Sequence, residues 1–336
     1  MFCSSLEAAG AEVIDVVDPS RRLPRVDVLH IHWPDRNFWV AWSRRNELKR
    51  CVLTLIQIAR AKLGGMKVVW MVHDLRPLHQ EIHKGLIWNP YIRSLSLLVD
   101  GFMTLSEDTL APVRVAYPAL AKRPFAAANH PLYPAPSGAI DRVMARQALE
   151  LPDAATVFTF FGVIRPPKGV LSLAQAFAAL PGDQYRLIIA GDPLDLEYME
   201  QVRLVLAGDP RVTLKAGYID EADASLIAAA TDAFVLPFAE TLHSSSIIFG
   251  LSSGHPVITP NQPYARGVSR AVGPGWITRY EGALTPEILQ AWRPPTEAAR
   301  LEAFALSGLG EASMALYKRL IEQPDLERQS GDRQSP

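Results

Sequence analysis

The stretch FTFFGVIRPPKG, residues 158–169, decides the fold. Its apolar run stops at Gly162, as a buried strand does at its end. Arg165 and Lys168 follow within six residues, and the next segment, VLSLAQAFAAL, has helical spacing. Strand, glycine, cations and helix make up a phosphate-handling loop at the carboxyl end of a parallel strand, where open α/β sheets bind ligands. A helix start there adds free N–H groups and partial positive charge. Arginine clamps phosphate with its fork, and lysine acts as a mobile point charge. A lone RxxK turn is more often a solvated basic surface, so the loop needs a second wall.

ETLHSSSIIFGLSSGHPVITP, residues 240–260, supplies one. The apolar run AFVLPF (233–238) ends, a polar loop follows, and Ser244, Ser245 and Ser246 stand at a helix start. One serine suffices for an N-cap worth ~1 kcal/mol. Three beside His243 offer more hydroxyls and N–H groups than a cap uses. Gly254-His255-Pro256 then closes the helix and opens the next strand.

Outward from these segments the pattern repeats. Strands are expected at 156–162, 185–191, 212–218, 233–238 and 256–260, with helices at 170–180, 195–207, 221–230 and 244–253. Earlier in the chain, EVIDVV (12–17), VDVLHIHW (26–33), KVVWMVH (67–73) and GFMTLS (101–106) read as short buried strands. Residues 47–62 have helical spacing, with Leu48, Cys51, Val52, Leu55, Ile56 and Ala59 on one stripe. Alternating strands and helices imply parallel, doubly wound sheets. The opening SSLEAAGAEV reads as a helix end running into a strand, without the strand–glycine loop that normally precedes it, so the first domain reads as one strand short.

At 336 residues the chain exceeds one ordinary core, and its 49% hydrophobic and 21% charged residues describe a globular protein. The proline-rich segment 134–150 is expected to link an N-terminal domain (1–133) to a C-terminal one (151–322). A helix over 297–321 is expected to pack back across the domains, and 323–336 reads as a disordered tail. No apolar run is long enough to span a membrane, and no signal peptide is read. Two cysteines make no disulfide framework and fit a reducing cytoplasm. Residues 1–133 carry 17 Lys and Arg against 12 Asp and Glu, so the basic half is the candidate for an anionic surface.

Taken together, Gly162…Arg165…Lys168-Gly169, GYIDEADASLIAAATDAFVLPF (217–238) and HSSSIIFGLSSGHPVITP (243–260) resemble the donor half of GT-B-fold glycosyltransferases. The resemblance covers residues 155–262. It is closest to bacterial enzymes of exopolysaccharide and glycoconjugate biosynthesis, including the mannosyltransferase-like branch. It implies an α/β protein of two Rossmann-like domains with parallel sheets facing across a cleft. It also implies a nucleotide-sugar donor, GDP- or UDP-linked with GDP-mannose preferred, and no cofactor or metal. Carried onto this chain, Arg165, Lys168, Ser244, Ser245 and Ser246 hold the diphosphate side of the donor, and Tyr218 and Ile219 lie near the base; His243 is read as a further donor contact. Many retaining members have two glutamates eight residues apart here. Glu240 stands at the first position as a ribose or sugar contact, but the second is Ile248, so retention is not supported.

The N-terminal half is rich in histidine at expected strand ends. His73-Asp74 follows KVVWMV, where the resemblance implies the catalytic residue, and His or Asp there can take an acceptor's proton. His30 and His32 share a face by strand alternation, and only His32 nears the loop. His32, Asp35 and His79 are read as acceptor contacts. His79 and His83 are spaced for a zinc pair, but no third ligand is evident, so no metal is assigned. Trp33, Phe38, Trp39 and Trp42 beside Arg36, Arg44, Arg45, Lys49, Arg50, Arg60 and Lys62 suit an anionic membrane surface, and the bland alternative is a core-facing helix with a solvated basic face.

The reading is a glycosyltransferase, cytoplasmic and peripheral at the inner face of the plasma membrane. It takes a nucleotide-sugar and a saccharide or lipid-linked saccharide acceptor, and no nucleic acid. A nucleotide-sugar epimerase on the same architecture and a non-catalytic nucleotide-sugar-binding subunit stay open.

Overall fold

The computed structural model describes residues 1–16, 18, 20–39, 43–76, 84–134, 140–238 and 241–322. They fall into two compact units, residues 1–129 with those from 306 onward, and residues 130–305.

The first unit holds α1 (Phe2–Ala8), β1 (Val28–Ile31), α2 (Arg36–Trp39), α3 (Arg44–Leu63), β2 (Lys67–Met71), α4 (Lys84–Leu98), β3 (Gly101–Thr104), α5 (Leu110–Ala116) and β4 (Phe125–Ala127). Its four strands pair in sequence order, all parallel. Val68, Val69, Trp70, Met71, Phe102 and Met103 are buried, as strands covered on both faces must be. Residues 12–16 form no strand, so the expectation at 12–17 fails there. The short strand β4 was not foreseen in the sequence.

Helix α3 starts at Ser43, whose hydroxyl accepts the Asn46 N–H, and ends at Gly64. It is turned differently from the expected stripe. Cys51, Thr54, Ile58 and Ala61 face inward, whereas Leu48, Val52, Ile56 and Leu63 are exposed. Apolar residues make up half of this helix and lie on more than one side of it, so period alone does not choose a face. The inward side, with the small Cys51, Thr54 and Ala61, packs on α4 and β2.

The second unit holds α6 (Arg142–Ala148), β5 (Thr156–Phe161), α7 (Val170–Ala178), β6 (Tyr185–Gly191), α8 (Leu196–Leu206), β7 (Val212–Ala216), α9 (Glu221–Ala230), β8 (Ala233–Val235), α10 (Ser245–Ser252), β9 (Val257–Pro260), α11 (Pro263–Val272), β10 (Ile277–Tyr280) and α12 (Pro286–Ala291). Its parallel sheet runs β10-β9-β8-β5-β6-β7. The chain therefore winds outward from β5 in one direction and from β8 in the other. The pair β5/β8 is the point where strand order reverses, and in open α/β sheets the ligand crevice lies at the carboxyl ends of such a pair.

Two segment boundaries differ from the sequence reading. Residues 142–148, expected in the linker, form α6 against α9, with Ala145 inside the core. Arg146 is 1% exposed and donates to the carbonyls of Pro152, Asp153 and Ala155 and to the Asp232 carboxylate. Asp232 also accepts the Val157 N–H, so this charge pair clasps α6 to the starts of β5 and β8. The final helix, α13 (Leu306–Glu322), begins later than expected and belongs with the first unit, where it packs on α1 and on β2, β3 and β4. Residues 323–336, read as a tail, lie outside the described residues.

Candidate functional site

The carboxyl ends of β5 and β8 are pressed together by three contacts. Gly169, at the start of α7, is left-handed (φ 67°), and a Cβ there would lie 2.1 Å from the Pro237 carbonyl oxygen beyond β8. No other residue fits that approach. The Lys168 ammonium sits 3.9 Å from the centroid of the Phe238 ring, a cation–π contact that ties the two loops. From the other side, Ser246 of α10 reaches to 3.5 Å from the point where Gly162 would carry a Cβ. The loop after β6 closes behind them. A Cβ on Gly191 would lie 1.8 Å from the Gly162 carbonyl oxygen, and Ile164 donates to the Asp192 carbonyl at 2.8 Å.

The serines divide their work. Ser244 is 3% exposed and caps α10, accepting the Ile247 N–H at 3.3 Å. It is a cap in the ordinary sense. Ser245 is exposed and pairs with the Tyr133 hydroxyl, and Ser246 is half-buried against the end of β5. His243 meets Tyr264 edge-on at 5.2 Å, and its carbonyl accepts the Thr241 hydroxyl. Arg165 is half-buried on extended backbone. The structure thus brings Arg165, Lys168, His243, Ser244, Ser245 and Ser246 to one strand-end pair. Tyr218 and Ile219 lie beyond β7, separated from β5 by β6. Tyr218 is 89% exposed, and Ile219 packs against the Val157–Ile188 core cluster. Glu240 lies outside the described residues. Phe238, Pro237 and Tyr133 were not singled out in the sequence, because their roles come from loop-to-loop packing.

In the first unit, the ends of β1 and β2 carry a stack of rings. His30 and His32 lie with centroids 4.7 Å apart, on one face as alternation requires. His32 Nδ1 is 2.9 Å from His73 Nε2. Trp33 lies flat on His73, at 4.1 Å and 3°. Its φ of 48° is seldom adopted by residues other than glycine. Phe2 of α1 meets His30 and His32 edge-on, and His30 Nδ1 bonds the Tyr317 hydroxyl of α13. Burial pushes His32 down to about 4. Burial pushes His30 well below its ordinary value too, helped by His32 and His73. Both imidazoles are therefore neutral near pH 7. His32, expected to touch an acceptor, is thus bonded to His73.

Asp35, expected as an acceptor contact, is 5% exposed. It and the half-buried Asp74 both act on Tyr117, whose hydroxyl donates to the Leu75 carbonyl at 2.9 Å. Burial first, then these two carboxylates, push the Tyr117 pKa upward. His79 and His83 lie outside the described residues. Among the described residues, no group of three or more His, Cys, Asp or Glu is arranged to hold a metal ion. Of the aromatics expected at a membrane, Phe38 is buried and Trp33 covers His73, while Trp42 lies outside the described residues. An open groove of about 1310 Å³, lined by Arg21, Arg22, Arg25, Arg60, Asp15 and Asp18, sits at the amino-terminal end of this sheet, away from the rings.

Residues 155–291 match the family model described as glycosyl transferases group 1. The fold is GT-B, and the chain is a glycosyltransferase. Among individual relatives, a GDP-mannose:glycolipid 4-beta-D-mannosyltransferase of Xanthomonas campestris pv. campestris is 26% identical over 278 residues, spanning 82% of this chain and 73% of that protein. A glycosyltransferase from Rickettsia africae ESF-5 superposes with a TM-score of 0.62 at 14% identity, covering 89% of this chain and 78% of that one. Anabaena Alr3699/HepE, solved with UDP and glucose, gives 0.58 at 19% identity, covering 88% and 77%. Among the described residues, no helix is long and apolar enough to cross a membrane.

Proposed function

We propose that the protein transfers a hexose from a nucleotide-sugar to a glycan or lipid-linked saccharide. The observation that carries this reading is the convergence of Arg165, Lys168 and the α10 start on the β5/β8 strand ends. Cations and a helix N-terminus there suit a diphosphate and stabilise it as a leaving group. GDP-mannose is the favoured donor, on the strength of the Xanthomonas relative's name. No metal is needed in this scheme, because the protein's own cations and helix dipole neutralise the departing charge.

In the reaction, an acceptor hydroxyl attacks the anomeric carbon. The bond from that carbon to the diphosphate oxygen breaks, and its electron pair leaves with the diphosphate. The hydroxyl proton passes to a base at the His73-Asp74 strand end. Ile248 stands where retaining relatives carry their second glutamate. The relative is named for a β-linked product, and GDP-mannose holds its sugar in the α configuration. Both points support inversion.

An acceptor in exopolysaccharide or glycoconjugate assembly would be met at the inner face of the plasma membrane. The outer face of α3 supports docking there. Leu48, Val52, Ile56 and Leu63 are exposed among Arg44, Arg45, Lys49 and Arg60, and the helix's single carboxylate, Glu47, is buried. A thermal-shift panel of GDP, GDP-mannose, UDP and UDP-sugars tests the donor site. A ligand at ~100 times its Kd stabilises by ~2.7 kcal/mol. Stabilisation by one nucleotide series, abolished in Arg165→Ala and Lys168→Ala, is expected. No shift with any of them, or shifts that survive both substitutions, would refute the assignment.

A further inference from the structure

We propose that His32 is a positioning residue that fixes His73 as a neutral Nδ1–H imidazole. His73 then serves as a hydrogen-bond donor, and the acceptor proton goes to the Asp74 carboxylate at the same strand end. The second clause rests on the transferase reading above. The first does not.

A neutral imidazole has one N–H and one lone pair. His32 uses Nδ1 toward His73 Nε2 at 2.9 Å, and its own Nε2 is enclosed, with no hydrogen-bond partner among the described residues. Two tautomers satisfy the 2.9 Å contact. In one, His32 carries its proton on Nε2 and accepts from His73, which leaves a buried N–H without an acceptor. In the other, His32 donates from Nδ1, and only a lone pair goes unused. Orphaned buried N–H groups are the rarer of the two defects. His32 therefore donates, His73 accepts at Nε2, and the single proton of neutral His73 is on Nδ1.

A base needs a free lone pair, and His73 has committed its own to His32. Protonating Nε2 would set two N–H groups against each other at 2.9 Å. His32 relieves the clash only by moving its proton to its enclosed Nε2, where an N–H finds no acceptor among the described residues. Neither ring turns freely. Trp33 lies flat over His73 on strained backbone, and Phe2 and His30 hold His32 at 4.5 and 4.7 Å. His30, joined to Tyr317, packs against His32, and Asp74 follows His73 in the chain. Of these, Asp74 is the half-exposed carboxylate with lone pairs to accept a proton.

Multiple-bond ¹H–¹⁵N spectra of histidine-labelled protein read the tautomers directly, without substrate. The wild type is expected to show the proton on Nδ1 in both His32 and His73. His32→Asn, whose amide can donate from nearly the same place, should keep His73 in that form, and His32→Leu should release it to a mixture. A proton on Nε2 of His73 in the wild type would overturn the assignment. In turnover, His73→Asn keeps a donor and should lose about tenfold, the scale of one hydrogen bond. His73→Leu should lose more. Equal losses of about 10²–10⁴-fold in both, with the acidic limb of the kcat/KM profile gone, would make His73 the base instead. If no nucleotide-sugar is turned over, the transferase reading fails while the spectra still decide the tautomer.

Discussion

The two sheets end in opposite chemistries at equivalent places. Beyond β5 and β8 the chain sets glycines, serines and two cations, held by close backbone approaches such as Gly169 on Pro237. Beyond β1 and β2 it sets a stack of rings, Trp33 on His73 and His73 bonded to His32. One end is built to meet charge. At the other, burial holds both His30 and His32 in their uncharged forms. A carboxyl-end crevice is thus only an address, and the residues placed there decide between binding a diphosphate and handling a proton.

The difference can be broken from either side, and the largest effect is expected at the ring end. Asp74→Asn removes the proposed base and should lower kcat by about 10²–10⁴-fold with little change in donor affinity. A donor-dependent KM change of similar size would erase the distinction between the ends. Next comes pH. The folded-state value of His32 is below the unfolded one, so its share of stability is present above about pH 6.5 and lost as pH falls toward about 4. That loss amounts to roughly 3 kcal/mol from this group. Amide-exchange protection in β2 and β3 should weaken over that window, and His32→Asn should flatten the decline. A decline that His32→Asn leaves unchanged would mean this imidazole does not titrate as its burial requires.

At the cationic end, Arg165→Ala should weaken nucleotide-diphosphate binding by about 1.5–3 kcal/mol, the worth of a charge-assisted hydrogen bond. The effect should shrink in high salt, whereas ring-end variants should show no such salt dependence. Calorimetric titration of GDP at two salt concentrations separates these outcomes. The smallest effect belongs to Ser244→Ala, which removes a cap and should reduce stability by ~1 kcal/mol. A much larger loss of donor affinity in that variant would assign the capping serine to the ligand as well.

The cationic end was more legible in the sequence than the ring end, for a physical reason. Strands such as Thr156–Phe161 and Tyr185–Gly191 are covered on both faces, so they read as unbroken apolar runs stopped by glycine. Their loops carry charge at short range, within the same segment. The ring end depends on pairing between distant segments. Alternation puts His30 and His32 on one face, but the register that sets His30 beside Val69, and so brings His32 to His73, belongs to the folded sheet. Short strands such as Ile277–Tyr280, with Arg279 exposed, carry too little apolar pattern to be seen. The inward face of α3 was misread because the chain offered two apolar sides and packing chose the one with smaller residues.

The return of Leu306–Glu322 to the first sheet sets an order of assembly on the ribosome. Its Tyr317 hydroxyl bonds His30, and Gly310 lies so close to α1 that a Cβ would fall 2.1 Å from the Ser5 carbonyl oxygen. The unit made first is therefore finished last, after all of residues 130–305 have emerged. At roughly 5–20 residues per second that is a wait on the order of ten seconds or more, during which the apolar side of β2, β3 and β4 has no cover. The nascent chain should be most vulnerable to aggregation and most dependent on holdases in that interval, and a stop just short of Leu306 should leave residues 130–305 folded beside an incomplete partner.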